Sequence, residues 1–163
     1  MSLLNLNYFE IFDIDEEITI DIKALNERYL VLQSKFHPDK FVNTSNIEKS
    51  MATRMSTHIN DAYSTLKDLV SRVDYILEIN NFSIDENKTF KNTSFLNEQM
   101  ILSERISQAN SDEFSIIKNE ISIKIKNLIS EMKSNLCNKD FDILHENNSM
   151  VKFYKKNIHQ LSN

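Results

Sequence analysis

Apolar residues recur every three or four positions along most of this chain, which is the period of an amphipathic α-helix. Near the N-terminus one such stripe consists of Ile22, Leu25, Tyr29, Leu32 and Phe36. Asp21 precedes this stripe and is a good N-cap, because its carboxylate can accept hydrogen bonds from the first amides of a helix. Pro38 disfavours helical geometry in the residue before it, so we expect this helix to end near His37.

Three more helical segments are predicted before residue 80. A short helix contains Tyr8, Phe9 and Phe12, and a second long helix carries the stripe Met55, Ile59, Ala62 and Leu66. We interpret the stretch from Asp39 to about Asn46 as a polar loop that joins the two long helices into an antiparallel hairpin. A further short helix over 72–79 completes a first domain, residues 1–79.

The rest of the chain predicts a bundle of three helices. Residues 80–94 are polar and lack a sustained period, so we interpret them as a connection. Helical spacing then resumes from Phe95 to Asn110, and a longer stripe runs through Phe114, Ile117, Ile121, Ile125, Leu128, Met132 and Leu136. After a turn at 138–140, the last helix places Ile143 or Leu144, Val151, Tyr154, Ile158 and Leu161 on one side. An antiparallel three-helix bundle over 95–163 is the simplest way to bury these stripes.

The composition excludes several classes of function. The chain has 163 residues, no glycine, one proline and one cysteine. Phosphate-binding loops and nucleophile elbows need glycine, so enzymes of those types are excluded. The net charge of −5 disfavours general nucleic-acid binding. A single cysteine forms neither an internal disulfide nor a cysteine zinc site, and it fits a reducing compartment.

No membrane association is expected from the sequence. No run of about 18 apolar residues is present. The first residues, Met1 to Asn5, lack the basic start and apolar core of a secretion signal. We therefore expect a cytoplasmic protein.

The most distinctive local motif is His37-Pro38-Asp39-Lys40, at the tip between the two long helices. Taken alone, the motif describes a helix that is stopped by proline. The neighbouring segments indicate a more specific role for the motif. A short aromatic helix and a helix bearing Lys23, Arg28 and Lys35 precede it, and a second long helix follows. This order resembles a J-domain, the part of DnaJ-type co-chaperones that activates seventy-kilodalton heat-shock chaperones.

Four segments extend the resemblance along nearly the whole chain. They are FHPDKF at 36–41, INDAYSTLK at 59–67, RVDYIL at 72–77 and FLNEQM at 95–100. Together they are similar to HscB, the J-protein dedicated to iron–sulfur cluster assembly. An ordinary DnaJ relative does not share the second region. Because eukaryotic members carry an N-terminal extension and this chain starts directly at the J-domain, the resemblance favours a bacterial member.

The resemblance implies two partners. An HscA-type seventy-kilodalton chaperone would be contacted, at its ATPase domain next to the interdomain linker, by a locally basic surface that comprises His37, Pro38, Asp39, Lys23, Arg28, Lys35 and Lys40. Such a surface would steer the protein toward an acidic partner and raise the on-rate. An alternative interpretation of the same bases is a solvated helix face. An IscU-type iron–sulfur scaffold would be bound by Leu96, Asn97, Met100, Glu104 and Phe153.

The pattern of the second region independently indicates an exposed patch. A helix in a three-helix bundle needs one apolar stripe. If Phe95, Leu102 and Ile106 form it, Leu96 and Met100 remain at the surface, and Phe153 falls off the core face of the last helix. Exposed apolar patches often mark partner sites. Burial of both stripes by a wide interface is the alternative.

Three departures from the family pattern affect these expectations. Two acidic positions of the family's patch are Ile101 and Gln108 here, so the rim is less charged. The segment 68–72 lacks the family's usual proline. Asn81 stands where the family commonly has glycine, and asparagine is the next-best residue for a left-handed turn.

The sequence thus predicts an all-α protein, a J-domain followed by a three-helix bundle, that acts as a non-enzymatic co-chaperone for iron–sulfur cluster biogenesis. It would deliver the scaffold to the HscA-type chaperone and stimulate that chaperone's ATPase through His37-Pro38-Asp39. No cofactor or metal is expected. A second hypothesis is a general holdase or co-chaperone that keeps unfolded clients on its apolar patch. An enzyme finds no support, because no paired carboxylates or cofactor motif occur at recognisable spacing.

Overall fold

The computed structural model describes residues 3–83 and 92–162. Within them are seven α-helices, two 3₁₀-helices and no β-strand, which confirms the predicted all-α class. The α-helices are α1 (Tyr8–Ile11), α2 (Ile22–Phe36), α3 (Asn46–Lys67), α4 (Leu69–Ile79), α5 (Thr93–Gln108), α6 (Ser111–Asn138) and α7 (Phe141–Gln160). The chain divides into two compact units, Met1–Ile79 and Asn80–Asn163.

The ends of the first-unit helices follow local signals in the sequence. The Asp21 carboxylate accepts hydrogen bonds from the amides of Lys23 and Ala24 at 2.8 and 3.1 Å, so α2 begins at the predicted cap. It ends at Phe36, and His37 has extended backbone as expected before Pro38. Ser45 caps α3 and forms a reciprocal capping box with Glu48.

The interpretation of residues 39–46 as loop is wrong in part. Pro38–Phe41 forms a 3₁₀-helix, and α3 already begins at Asn46. Proline suits the first turn of a helix, because its fixed φ matches helical geometry and its missing N–H has no partner to lose there. The chain therefore turns between α2 and α3 through a short helix.

A buried arginine links three parts of the first unit. Arg72, at the start of α4, is almost fully buried beside the apolar core. Its Nε donates to the carbonyl of Leu66 and its terminal nitrogen to the carbonyl of Ile18, both at 2.7 Å. Burial lowers the pKa of Arg72, and the nearby charge of Asp68 opposes that effect. The side chain thus satisfies carbonyls at the end of α3 and in the loop before α2.

A polar cap stands in the segment 68–72, where the resemblance leads us to expect proline. Asp68 separates α3 from α4 with extended backbone, and its carboxylate accepts the amide of Ser71 at 3.0 Å. The carboxylate therefore satisfies an amide in the first turn of α4. As a result α4 begins at Leu69, three residues before the predicted start.

The second unit is a bundle of α5, α6 and α7. Phe95, Ile117, Ile121, Tyr154 and Leu161 form a buried cluster, with partly buried side chains such as Leu102 and Ile106 packed against it. On α7, Leu144 rather than Ile143 faces the core of the bundle. Asn92 caps α5, which therefore begins at Thr93, two residues before the predicted start.

Two turns of the second unit use left-handed backbone. Lys139 ends α6 with φ 62°, within the predicted turn at 138–140. Asn81 has φ 58°, which confirms the expectation that asparagine replaces glycine in a left-handed turn. The predicted connection, 80–94, lies in part outside the described residues, at 84–91.

Candidate functional site

The His-Pro-Asp motif forms an ordered turn at the tip of the α2–α3 hairpin. The Nδ1 atom of His37 accepts the amide of Asp39 at 3.3 Å, and the amide of Lys40 donates to the His37 carbonyl at 3.0 Å. The side chain of Asp39 is 85% exposed, with its Oδ2 atom 3.6 Å from the histidine Nδ1. The turn therefore presents a carboxylate to solvent while the histidine holds the backbone beneath it.

The predicted basic residues are spread along α2 and the tip. Lys35 lies over the Phe36 ring at 5.3 Å, and the Nζ atom of Lys40 donates to the hydroxyl of Ser34 at 3.4 Å. Lys23 is exposed in the first turn of α2. At 1.5 Å per residue, it lies roughly 20 Å from His37 along the helix axis. The structure thus gathers Lys35 and Lys40 at the tip and leaves Lys23 at the far end.

Arg28 has an internal role. Its guanidinium donates to the carbonyls of Phe12 and Asp13, and it also forms an ion pair with the Asp13 carboxylate at 3.9 Å. Asp13 has φ 50°, so the arginine fastens a left-handed turn after α1 to the side of α2. The side chain remains partly exposed, and one terminal nitrogen of its guanidinium donates both of these bonds within the chain.

A polar and aromatic seam fixes the spacing of the hairpin. The rings of Tyr29 and Tyr63 stack at 4.0 Å across α2 and α3. The hydroxyl of Tyr63 donates to Asn26 at 2.6 Å, and that of Tyr29 donates to Asn60 at 3.1 Å. Gln33 also donates to Asn60, one turn before the tip. These contacts set the position of α2, and with it the position of the motif.

The predicted apolar patch of the second unit is exposed on α5 and α7. Met100 is 71% exposed, and Leu96 and Phe153 are exposed to about half that extent. The ring of Phe153 meets buried Phe95 edge to face at 5.8 Å, which fixes its position on the surface. Ile101, which follows Met100 in the sequence, is exposed as well. Asn97 and Glu104 are also exposed.

Helix α5, which carries most of this patch, is tied to the bundle by polar contacts. Among the described residues of α5, Phe95 is the one that is buried. One oxygen of Glu98 accepts Lys124 and the hydroxyl of Tyr154, each at 2.6 Å. Arg105 forms two bonds to Glu120, at 2.6 and 3.1 Å. In addition, Asn157 donates to Gln99 at 2.7 Å, and Asn92 donates to Glu146 at 2.9 Å.

The Glu98 contacts also change proton affinities. Burial by itself raises the pKa of Glu98, but the hydrogen bonds from Lys124 and Tyr154 outweigh it and hold that pKa below its ordinary value. Burial and the bond to Glu98 raise the pKa of Tyr154. At neutral pH the pair is therefore an ionised carboxylate that accepts a hydrogen bond from a neutral phenol.

Sequence reasoning missed this Glu98 cluster, although a signal was present. Glu98 lies three residues after Phe95 and four before Leu102, on the core side of α5. An acid at such a position requires a polar partner. Tyr154, on the core stripe of α7, brings a hydroxyl with the same requirement.

Two other kinds of site are not found in the structure. Among residues 3–83 and 92–162, no group of three or more histidine, cysteine or acidic side chains is arranged to hold a metal ion. No helix in that part of the chain has the length and apolar character needed to cross a bilayer.

Comparison with known proteins gives matches along the whole chain. Residues 91–162 match the family model described as the HSCB C-terminal oligomerisation domain. The Co-chaperone protein HscB homolog of Psychromonas ingrahamii is 34% identical over 158 residues, which cover 93% of this chain and 92% of that protein. Chaperone HscB from Vibrio cholerae has a TM-score of 0.85 at 25% identity and covers 96% of each chain. Human co-chaperone HscB has a TM-score of 0.89 at 28% identity, over 97% of this chain and 81% of that one.

Proposed function

Because this chain belongs to the HscB family of co-chaperones, we propose that it couples an IscU-type iron–sulfur scaffold to an HscA-type seventy-kilodalton chaperone. The second unit binds the scaffold, and the turn at 37–39 stimulates ATP hydrolysis by the chaperone. The protein has no catalytic site of its own and works in the cytoplasm. The observation that carries the proposal is a family match that spans both the His-Pro-Asp tip and the exposed patch of the second unit.

On the chaperone side, the tip would act as a rigid charged contact. The Asp39 carboxylate projects into solvent and can accept charge-assisted hydrogen bonds from an arginine of the partner. Lys35 and Lys40 surround it with positive charge, which favours encounter with an acidic surface of the ATPase domain. His37 supports the turn through its bond to the Asp39 amide, so its role is one of positioning.

On the scaffold side, the patch offers apolar area on a fixed base. Leu96 and Met100 lie one helical turn apart on α5, and Phe153 of α7 packs against Phe95, the residue before Leu96. Full burial of an exposed leucine, methionine or phenylalanine side chain by a partner contributes about 1.5–3 kcal/mol. Because Ile101 and Gln108 replace acids of the family, we expect scaffold binding to depend only weakly on salt.

The chaperone role is tested by ATP turnover. A purified HscA-type chaperone and its IscU-type scaffold, encoded in the same genome as this chain, are assayed with and without the protein. We expect His37→Gln to lose the stimulation, because glutamine cannot reproduce the ring that supports the Asp39 amide. His159→Gln, an exposed histidine on α7, is the matched control and should stimulate as the wild type does. Stimulation by His37→Gln at the wild-type level would refute the mechanism.

The scaffold role is tested by binding of the purified scaffold to immobilised protein. Leu96→Ser/Met100→Ser should weaken it at least about tenfold, because two exposed anchors are lost. Ile143→Ser, at another exposed apolar residue of the same unit, should leave it unchanged. A holdase would instead bind many denatured proteins and lose all of them with the double substitution. Loss of the scaffold alone supports the dedicated function.

A further inference from the structure

Two apolar side chains are exposed to solvent on α2, the helix that leads to the His-Pro-Asp turn. Leu30 is 65% exposed and Val31 is 68% exposed. They lie on the side of the helix away from Leu25, which is fully buried. Neither residue contributes to the core of the first unit, so folding of the hairpin does not account for them.

Their position makes them continuous with the tip. Ser34 follows Leu30 by four residues and Val31 by three, so all three share one face of α2. The hydroxyl of Ser34 accepts the Nζ of Lys40, the residue next to Asp39. The outer face of α2 therefore runs without interruption from the two apolar side chains to the motif.

Lysines flank the apolar pair at both ends. Lys23 lies seven residues before Leu30, and Lys35 lies four residues after Val31. Glu27 is the acid between them. A partner that covers this face needs an apolar centre and an acidic border.

Val31 also borders a shallow groove of about 350 Å³ between α2 and the end of α1. Its apolar lining comes from Ile11, Phe12, Val31 and Leu32, and the charged residues Asp13, Glu27 and Arg28 complete it. The bonds from Arg28 to the carbonyls of Phe12 and Asp13 hold the two walls together. The exposed pair thus lies at the edge of a formed concave surface.

We propose that Leu30 and Val31 are an apolar docking contact for the HscA-type chaperone, engaged together with the tip. This inference rests on the proposed function and assigns the chaperone a mixed contact with α2, apolar at the centre and electrostatic at both ends. The occupant follows from continuity with the tip and from the charge of the flanking lysines. A second copy fits less well, because two such faces packed antiparallel would bring Lys23 of one copy against Lys35 of the other.

The test is a titration of chaperone ATPase activity with the full-length protein. Leu30→Gln/Val31→Gln should raise the half-maximal concentration at least about tenfold, which corresponds to about 1.4 kcal/mol, and leave maximal stimulation within about twofold of wild type. Ile116→Gln/Ile123→Gln, a matched pair of exposed isoleucines on α6, should behave as wild type. Each single substitution is measured as well, so that a folding defect in the double variant leaves the test intact.

Salt separates the apolar contact from the lysines. At higher ionic strength the ratio of half-maximal concentrations between Leu30→Gln/Val31→Gln and wild type should stay constant, because apolar burial is not screened. The corresponding ratio for Lys23→Gln/Lys35→Gln should fall toward one. An unchanged half-maximal concentration in the apolar double variant would overturn this inference, while loss of stimulation in His37→Gln would still uphold the proposed function. The inference would also be overturned if the wild type were a dimer and the apolar double variant a monomer, because this face of α2 would then bind a second copy of the chain.

Discussion

The hydroxyl of Tyr154 should control how firmly α5, and with it the exposed patch, is held to the bundle. The ring is buried against Phe95, and the hydroxyl donates to Glu98 at 2.6 Å. Tyr154→Phe keeps the ring and removes that one bond. A hydrogen bond to a charged group contributes about 1.5–3 kcal/mol. The Glu98 side chain is 42% exposed, so screening reduces the effect to about 1–2 kcal/mol.

Backbone hydrogen exchange measures this directly. When α5 opens locally, the exchange rates of its amides follow the opening equilibrium. A loss of about 1–2 kcal/mol therefore makes them exchange about 5–30 times faster. Tyr63→Phe is the matched control, because it removes a tyrosine bond of 2.6 Å to Asn26 in the other unit. It should leave the α5 amides unchanged.

Two results would refute this reasoning. One is unchanged protection of α5 in Tyr154→Phe, and the other is an equal effect of Tyr63→Phe. A double variant with Glu98→Gln should show less than the sum of the two single effects, because both substitutions act on the same bond. Additive effects would mean that the two residues stabilise α5 separately.

The contribution of this bond also depends on pH. The lowered pKa of Glu98 means that its contribution is present above its ordinary value of 4.5 and is lost as the pH falls through the lowered value. The raised pKa of Tyr154 means that its contribution is present below the ordinary value of 10.0 and is lost as the pH rises above it. The difference in unfolding free energy between wild type and Tyr154→Phe should therefore be greatest near neutral pH. A difference that grows below about pH 4 would contradict these shifts.

Three further predictions concern stability, each measured as the free energy of unfolding in urea. Arg72→Met should destabilise the first unit by about 2–4 kcal/mol, since two charge-assisted bonds are lost and removal of a buried charge offsets only part of that loss. Tyrosine fluorescence follows the unfolding of this unit, because every tyrosine except Tyr154 lies in it. An effect below about 1 kcal/mol would contradict this, because water would then satisfy the carbonyls of Leu66 and Ile18 as well as the guanidinium does. Asn81→Val should cost about 1–2 kcal/mol and Asn81→Gly almost nothing, because a Cβ atom comes too close to the following carbonyl in left-handed backbone, which asparagine tolerates, a β-branched side chain worsens and glycine avoids. Equal effects of the two substitutions would argue against that conformation. Asp21→Ala should cost about 1 kcal/mol and Asp21→Asn less, because asparagine can still cap. An equal loss with both substitutions would mean that the charge of Asp21, and not its cap, stabilises the helix.

Local chemistry made much of the fold predictable. Asp21 and Pro38 mark the two ends of α2 through a cap and a steric restriction, each acting within a few residues. Asn81 takes the backbone conformation expected where the family has glycine. The four motif segments carried the resemblance to HscB, which the whole-chain match confirms.

Contacts between distant residues were not predictable in the same way. Arg72 bonds to Ile18, 54 residues away, and Tyr154 bonds to Glu98, 56 residues away. Periodicity assigns a side chain to a face of a helix, but it does not identify the partner on another element. Arg28 illustrates the consequence, because its charge predicts a docking residue, whereas its bonds to the carbonyls of Phe12 and Asp13 are visible only in the structure.

The central claim is that one molecule must carry both surfaces for scaffold delivery. The direct measurement is ATP hydrolysis by the HscA-type chaperone at a low scaffold concentration, with His37→Gln and Leu96→Ser/Met100→Ser added together. Each variant keeps the surface that the other lacks. We predict that the mixture gives no more scaffold-dependent stimulation than either variant alone, while the same amount of wild-type protein restores it. Full stimulation by the mixture would contradict the account, because the two surfaces would then act without being joined.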